Sequence, residues 1–362
     1  MADSYSTVVA DLAPDTSILS GASGGAPQTA MLAAPQKSKR VPALDFTKGA
    51  LVLIMVLYHW MNYFIRADGD VYKYLRFLTP SFIFITGFLI SQVYLSKKGS
   101  ARPNIRGRLL VRGLKLLAVV GCLNIGLIMS VVQDAGSDGR ISSITQLGMA
   151  FVLGTAPVAF SVLVPIAYLL IMAGILLPVF RRHVFVFHIA CAFFVGCALL
   201  LNLIGISNGY LEIFSIGTLG ISVGHLSMER INTVVKRPVL LALAYLLYLG
   251  AITVWNVIYP LQVVGVCLSV ALIYLLGKAY SESTYVGKIA VLLGQYSLFG
   301  YIAQIVILQL LRRGLHPLGP SVGVIVSAFI GCLICTTLGV VVLDRIRPKS
   351  RPINQVYTAV FC

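Results

Sequence analysis

The chain has 362 residues, 58% of them hydrophobic and 11% charged, with a formal net charge of +16 and a mean hydropathy of +0.91. Soluble domains carry about 25% charged residues, so a water-facing surface is excluded for most of this chain. In so apolar a sequence the excess of Lys and Arg reads as basic loops held against anionic lipid, and nucleic acid is not expected as a partner.

Residues 1–40 are rich in Ala, Ser, Gly and Pro and lack an apolar core, which predicts a disordered cytoplasmic tail. No basic start leads into an apolar stretch, so the segment does not read as a signal peptide. Further on, residues 49–65, 77–96, 116–133, 289–311 and 314–343 contain no Asp, Glu, Lys or Arg. About 20 apolar residues cross a bilayer as a helix. These runs are continuous, not alternating, which favours helices over a barrel. The predicted fold is all-α and polytopic, with about ten transmembrane helices over 46–66, 75–96, 106–130, 156–180, 184–204, 209–226, 238–258, 261–278, 286–311 and 320–344. A ten-helix domain thus spans 41–347, followed by a cytoplasmic C-terminal tail, 348–362.

The first helix carries a polar stripe. Lys48 and His59 are eleven residues apart, which leaves them about 20° from alignment on a helix of 3.6 residues per turn, with His59 about 16 Å further along. Asp45 lies close to the same line, and Asn62 and Tyr63 follow one turn after His59. Ionisable groups at membrane depth are costly and mark function. A bland reading stays open, with Asp45 and Lys48 as an interfacial ion pair and His59 as a satisfied bundle histidine.

Between the second and third helices, Lys97, Lys98, Arg102, Arg106, Arg108, Arg112 and Lys115 form the densest basic patch. Residues 141–180 hold either two spans, or one span preceded by a re-entrant or interfacial segment. Glu212 is the only acidic residue between positions 139 and 228 and falls near the outer end of the sixth helix. The long apolar stretch 238–277 is divided at Tyr259-Pro260. In the ninth helix Ser297, Tyr301 and Gln304 share one face. Cys332 and Cys335 lack the partners for a metal site and read as small apolar packers, so no metal is expected. With one span in 141–180, one side of the membrane holds 22 of the 28 Lys and Arg and the other holds Arg66, Lys73, Arg76, Arg140, Arg312 and Arg313. That asymmetry favours ten helices with both termini cytoplasmic. No internal repeat of the kind that builds transporters is evident.

The sequence Leu44-Asp45-Phe46-Thr47-Lys48-Gly49, followed by His59 with ten residues between it and Lys48, resembles the first helix of the acyltransferase-3 family. Pro80-Ser81-Phe82-Ile83-Phe84-Ile85-Thr86-Gly87-Phe88-Leu89 resembles that family's second helix, and Leu293-Gly294-Gln295-Tyr296-Ser297 through Tyr301 and Gln304 resembles a later motif. The likeness covers the first three and last two helices. Lys48 stands where Arg is commoner, which removes a bidentate fork, and Gln304 stands where many members carry His.

The resemblance implies a bacterial multi-pass enzyme of the cell (inner) membrane that O-acylates carbohydrates, glucans or glycolipids. Under it, acyl-CoA is the donor substrate, with acetyl or succinyl as the acyl group. His59 is then the general base, assisted by Lys48 and Asp45. Asn62, Glu212, Ser297, Tyr301 and Gln304 are substrate-binding candidates, and Arg108, Arg112 and Lys115 are candidates for the coenzyme A phosphates. Direct transfer and an acyl-histidine intermediate both remain open, as does assembly into a homo-oligomer. Two other readings compete: a secondary transporter or flippase, since polar stripes also line substrate paths, and an amide-forming acetyltransferase of amino sugars.

Overall fold

The structure, a computed structural model, describes residues 41–65, 69–95, 105–131, 160, 162–206, 208–255, 258–315, 317 and 321–361. The tail 1–40, the segment 141–156 and the side chains of Arg66, Lys97, Lys98, Arg102 and Arg140 lie outside these residues. Every described element is helical. In chain order they are α1 (Pro42–Trp60), α2 (Gly69–Tyr72), α3 (Leu78–Leu89), α4 (Ile105–Val131), α5 (Leu163–Arg182), α6 (Val184–Leu203), α7 (Gly209–Gly224), α8 (Met228–Val235), α9 (Pro238–Trp255), α10 (Tyr259–Tyr280), α11 (Tyr285–Gln295), α12 (Ser297–Leu315), α13 (Val322–Ile346) and α14 (Arg351–Phe361).

Seven of the described helical stretches are long and apolar enough to cross a membrane, and two shorter apolar helices lie within α5 and α7. The division between lipid-facing and protein-facing surface is plain on α13. Val326, Ile330, Ile334, Leu338 and Val342 recur every four residues and are 44–54% exposed, whereas Ala328, Cys332, Thr336 and Val340 are 0% exposed. Small residues thus face the bundle and branched apolar residues face outward, the arrangement expected where lipid replaces water around the helices.

Close helix contact depends on glycine. A Cβ on Gly49 would fall 1.8 Å from the Ala290 carbonyl oxygen, and one on Gly294 would fall 1.7 Å from the Asp45 carbonyl oxygen. Backbone therefore rests on backbone where α1 meets α11, and no side chain fits between them. Helices α3 and α7 meet in a similar way through Gly87 and Gly220.

Four departures from the simple helix plan shape the interior. The stretch 286–311, expected as one helix, is broken at Tyr296 (φ −108°, ψ 27°) into α11 and α12. The Tyr296 hydroxyl donates to Asp344 Oδ1 at 2.8 Å, which ties the break to α13. Helix α1 runs on into a π-helical turn, Met61–Ile65, and α3 into another, Ile90–Leu95. The C-terminal tail contains α14, whose Tyr357 ring packs 5.4 Å from that of Tyr296. The expected division at Tyr259-Pro260 is present: α9 ends at Trp255 and α10 opens with Pro260 in its first turn, where a missing N–H costs nothing.

Candidate active site

Helices α1 and α12 run in the same direction, side by side. Val52 packs on Gly300, the rings of His59 and Tyr301 are 6.2 Å apart, and Gln309 Nε2 donates to the Tyr63 hydroxyl at 3.3 Å. The far end of α1 is fixed by Trp60, whose Nε1 donates to the Ile325 carbonyl of α13 at 2.8 Å. His59 sits in the last turn of α1 among aromatic rings: Tyr58 at 5.3 Å, Tyr63 at 6.4 Å and Tyr301. Tyr301 in turn meets Phe82 of α3 at 6.3 Å and Phe160 at 6.0 Å. Phe160 has φ +64°, a left-handed conformation that is rare for so bulky a residue and tends to mark constrained, functional positions.

On these same two helices, α1 and α12, lie buried polar atoms without a hydrogen-bond partner among the described residues. His59 Nε2 is buried without a hydrogen-bond partner, and so are both side-chain polar atoms of Gln304. Gln304 is 0% exposed and lies one turn beyond Tyr301. A buried polar atom without a partner costs about 1–3 kcal/mol, and such atoms in a folded interior call for an explanation.

Behind Tyr58 a cavity of about 620 Å³ opens, lined among others by Tyr58, Tyr72, Lys73, Arg76, Thr79 and Gln262. Tyr58 and Tyr72 meet edge to face at 5.7 Å. The sequence marked Lys73 and Arg76 only as charges of the outer side and Phe82 only as part of the second-helix motif, and had no signal for Tyr58, Phe160 or Gln262.

The remaining expected residues fall elsewhere. Asp45 and Lys48 pair with each other at 2.6 Å near the opposite end of α1, about 16 Å from His59 by helix rise. Asn62 is exposed. Tyr63, four residues after His59, is the one whose ring lies beside it, at 6.4 Å. Glu212 lies in the first turn of α7, where its carbonyl accepts from the Ser215 hydroxyl and its neighbour Ile213 lines the cavity. Ser297 opens α12, one turn from Tyr301 toward the break. On α4, Arg108 is exposed, Arg112 Nη1 donates to the Tyr94 hydroxyl at 2.8 Å, and Lys115 Nζ donates to the Thr358 carbonyl of α14 at 3.3 Å.

Cys332 is buried, and its thiol lies 3.7 Å from the Gln304 carbonyl. A second histidine group, at the other end of the bundle from the cavity, was not anticipated. His188 and His225 approach to 5.4 Å, with Ser222 on the first and Ser91 on the second.

A family model for an acyltransferase domain, that of acyltransferase-3, matches residues 41–344. The chain belongs to the acyltransferase-3 family. This acyltransferase-3 domain takes in every helix from α1 nearly to the end of α13, and so includes His59, Tyr301, Gln304 and the basic residues of α4. No curated protein and no solved structure matches the chain. With seven membrane-length apolar helices, the acyltransferase-3 protein is a membrane acyltransferase.

Proposed function

We propose that this membrane acyltransferase moves an acyl group, acetyl or succinyl, from acyl-CoA to a hydroxyl of a carbohydrate, glucan or glycolipid acceptor, with His59 as general base. The observation that carries the reading is that His59 Nε2 is buried without a hydrogen-bond partner among the described residues, in a ring that lies 6.2 Å from that of Tyr301.

In the direct route the acceptor oxygen attacks the thioester carbonyl as His59 Nε2 takes its proton. The C–O bond forms, the tetrahedral oxyanion collapses, the C–S bond breaks, and the imidazolium returns the proton to the departing coenzyme A thiolate. The oxyanion needs donors aimed at it in a dry site. In this reading the Gln304 carboxamide and the Tyr301 hydroxyl take that part, with Ser297 one turn away on the same helix. The rings of Tyr58, Tyr63 and Tyr301 pack around this imidazole, and its ordinary range suits proton transfer near neutral pH.

Donor binding falls to α4. Arg108, Arg112 and Lys115 supply cations for the coenzyme A phosphates. Lys48, paired with Asp45, stands between that basic end and His59 and guides the anionic donor along α1. Glu212 and Asn62, toward the cavity end, contact the acceptor. Both termini are cytoplasmic in this reading, and the protein sits in the bacterial inner membrane. Membership in an acyltransferase family favours group transfer over the transporter reading.

The test is direct. Purified protein in detergent or nanodiscs is given acyl-CoA labelled on the acyl carbon and a glucan or glycolipid acceptor, and the product is treated with hydroxylamine. Label that enters the acceptor and is released as an ester supports O-acylation. Label that resists release identifies an amide, and no label at all removes the proposal.

A further inference from the structure

We propose that Tyr357 and Phe361 of the C-terminal helix α14 are positioning residues: they clamp the break between α11 and α12 and so fix where Tyr301 and Gln304 stand relative to His59. The inference rests on the reading of His59, Tyr301 and Gln304 as the reacting centre. The family model ends at residue 344, so membership in the family assigns α14 no part in the chemistry.

Helix α14 has 11 residues, and a helix of that length is marginal on its own in water. Its docking face holds it in place. Tyr357 and Phe361 are four residues apart and share that face, with their rings stacked at 5.0 Å. Tyr357 is 7% exposed, whereas Val356 beside it is 63% exposed. Just past the end of α13, the Arg347 guanidinium lies over the Tyr357 ring at 4.3 Å, and Arg347 Nε donates to Asn354 Oδ1 at 2.7 Å. One arginine thus fastens α14 to the end of the helix before it.

Both rings reach the break. The Tyr357 ring is 5.4 Å from that of Tyr296, the residue at which α11 ends and which also donates to Asp344. The Phe361 ring is 5.9 Å from that of Phe299, in the first turn of α12. Leu293 and Val340 belong to the same apolar cluster, and Leu53 of α1 packs against it. The cluster therefore joins the helix that carries His59 to the start of the helix that carries Tyr301 and Gln304, and α14 supplies two of its rings. The first N–H groups of a helix have no partners within it, so side-chain contacts at the break set the direction of α12. Phe299 and Tyr301 are two residues apart, and a shift of one is passed along the helix to the other.

Position is measured first, without turnover. Full-length wild type, Tyr357→Ala, Phe361→Ala, Tyr357→Phe and Val356→Ala in nanodiscs are treated with diethyl pyrocarbonate, and labelling of each histidine is followed by peptide mass spectrometry. His59 Nε2 is buried and should label slowly in the wild type. We expect Tyr357→Ala and Phe361→Ala to raise the rate at His59 several-fold, with His188 and His225 labelling as in the wild type. Tyr357→Phe keeps the ring and Val356→Ala leaves the docking face intact, so both should match the wild type. An unchanged rate at His59 in both ring-deleting variants would overturn the proposal, because the clamp would then set nothing. A rise shared by His188 and His225 would overturn it too, by showing that α14 only stabilises the fold. Should Tyr357→Ala not accumulate, Phe361→Ala, which removes a half-buried ring, carries the same test.

Turnover follows. In Tyr357→Ala kcat should fall about tenfold or more, since a misplacement of about 1 Å can cost about 10²-fold. The acyl-CoA Kd should stay near wild type, because the Thr358 carbonyl that accepts from Lys115 is backbone and remains. A loss confined to donor affinity, with kcat intact, would refute a positioning role. The labelling needs no reaction, so it is independent of His59 as base: normal transfer by His59→Ala would remove the base and leave the labelling result as it stands.

Discussion

His59 and Tyr301 face one another across two helices that run the same way, their rings 6.2 Å apart. Neither helix could present this pair alone. Helix α1 supplies the imidazole only because Trp60 anchors its end to α13, and α12 supplies the phenol and the Gln304 amide only because the chain breaks at Tyr296 and starts a new helix there.

His59→Ala should lower the rate of acyl transfer by about 10²–10⁴-fold, the usual contribution of a positioned base. Affinity for acyl-CoA should stay near wild type. Single-turnover transfer together with donor titration checks this, and a variant that transfers normally would remove His59 from the chemistry.

Gln304→Met should separate stability from activity. The carboxamide is buried with neither polar atom bonded, so an apolar side chain of similar length removes a cost of about 1–3 kcal/mol. The variant should unfold in detergent at an equal or higher temperature than wild type while its kcat falls. A fall in both would show that the amide is bonded in the working enzyme.

Arg112→Ala combined with Lys115→Ala should weaken acyl-CoA binding by about tenfold or more, since contacts to charged phosphate are worth about 1.5–3 kcal/mol each. The loss should shrink as salt rises, because exposed charges are screened. An unchanged donor Kd at low salt would leave these residues with their observed contacts, Tyr94 and Thr358, as their only role.

Gly294→Ala should destabilise the fold by about 1–3 kcal/mol or prevent accumulation in the membrane, because its Cβ would collide with the Asp45 carbonyl. Gly250→Ala is the control. It lies mid-helix in α9 with nothing within 4 Å of an added Cβ, and should be tolerated. Thermal unfolding of the two variants, read side by side, decides the matter.

The helices were legible because lipid imposes a simple rule: long runs without charge must be helical. The Asp45, Lys48 and His59 stripe was legible from helix period alone. What escaped was decided by contacts between distant segments. Nothing in residues 61–65 announces the π-helical turn found there. The break at Tyr296 depends on Asp344, 48 residues away. Phe82 and Phe160 belong to the site only because Tyr301 touches both. Helix α14 has a periodic polar face too short and too mixed to resemble a span, and it is placed by its contacts with Tyr296 and Lys115.

The glycine seam between α1 and α11 has a mechanical consequence. Two backbones in direct contact, with no side chains to slide or repack, move as one stiff strut that carries His59 at its tip. A crosslink joining α1 to α11 should therefore leave turnover unchanged, because it fixes what the packing already holds.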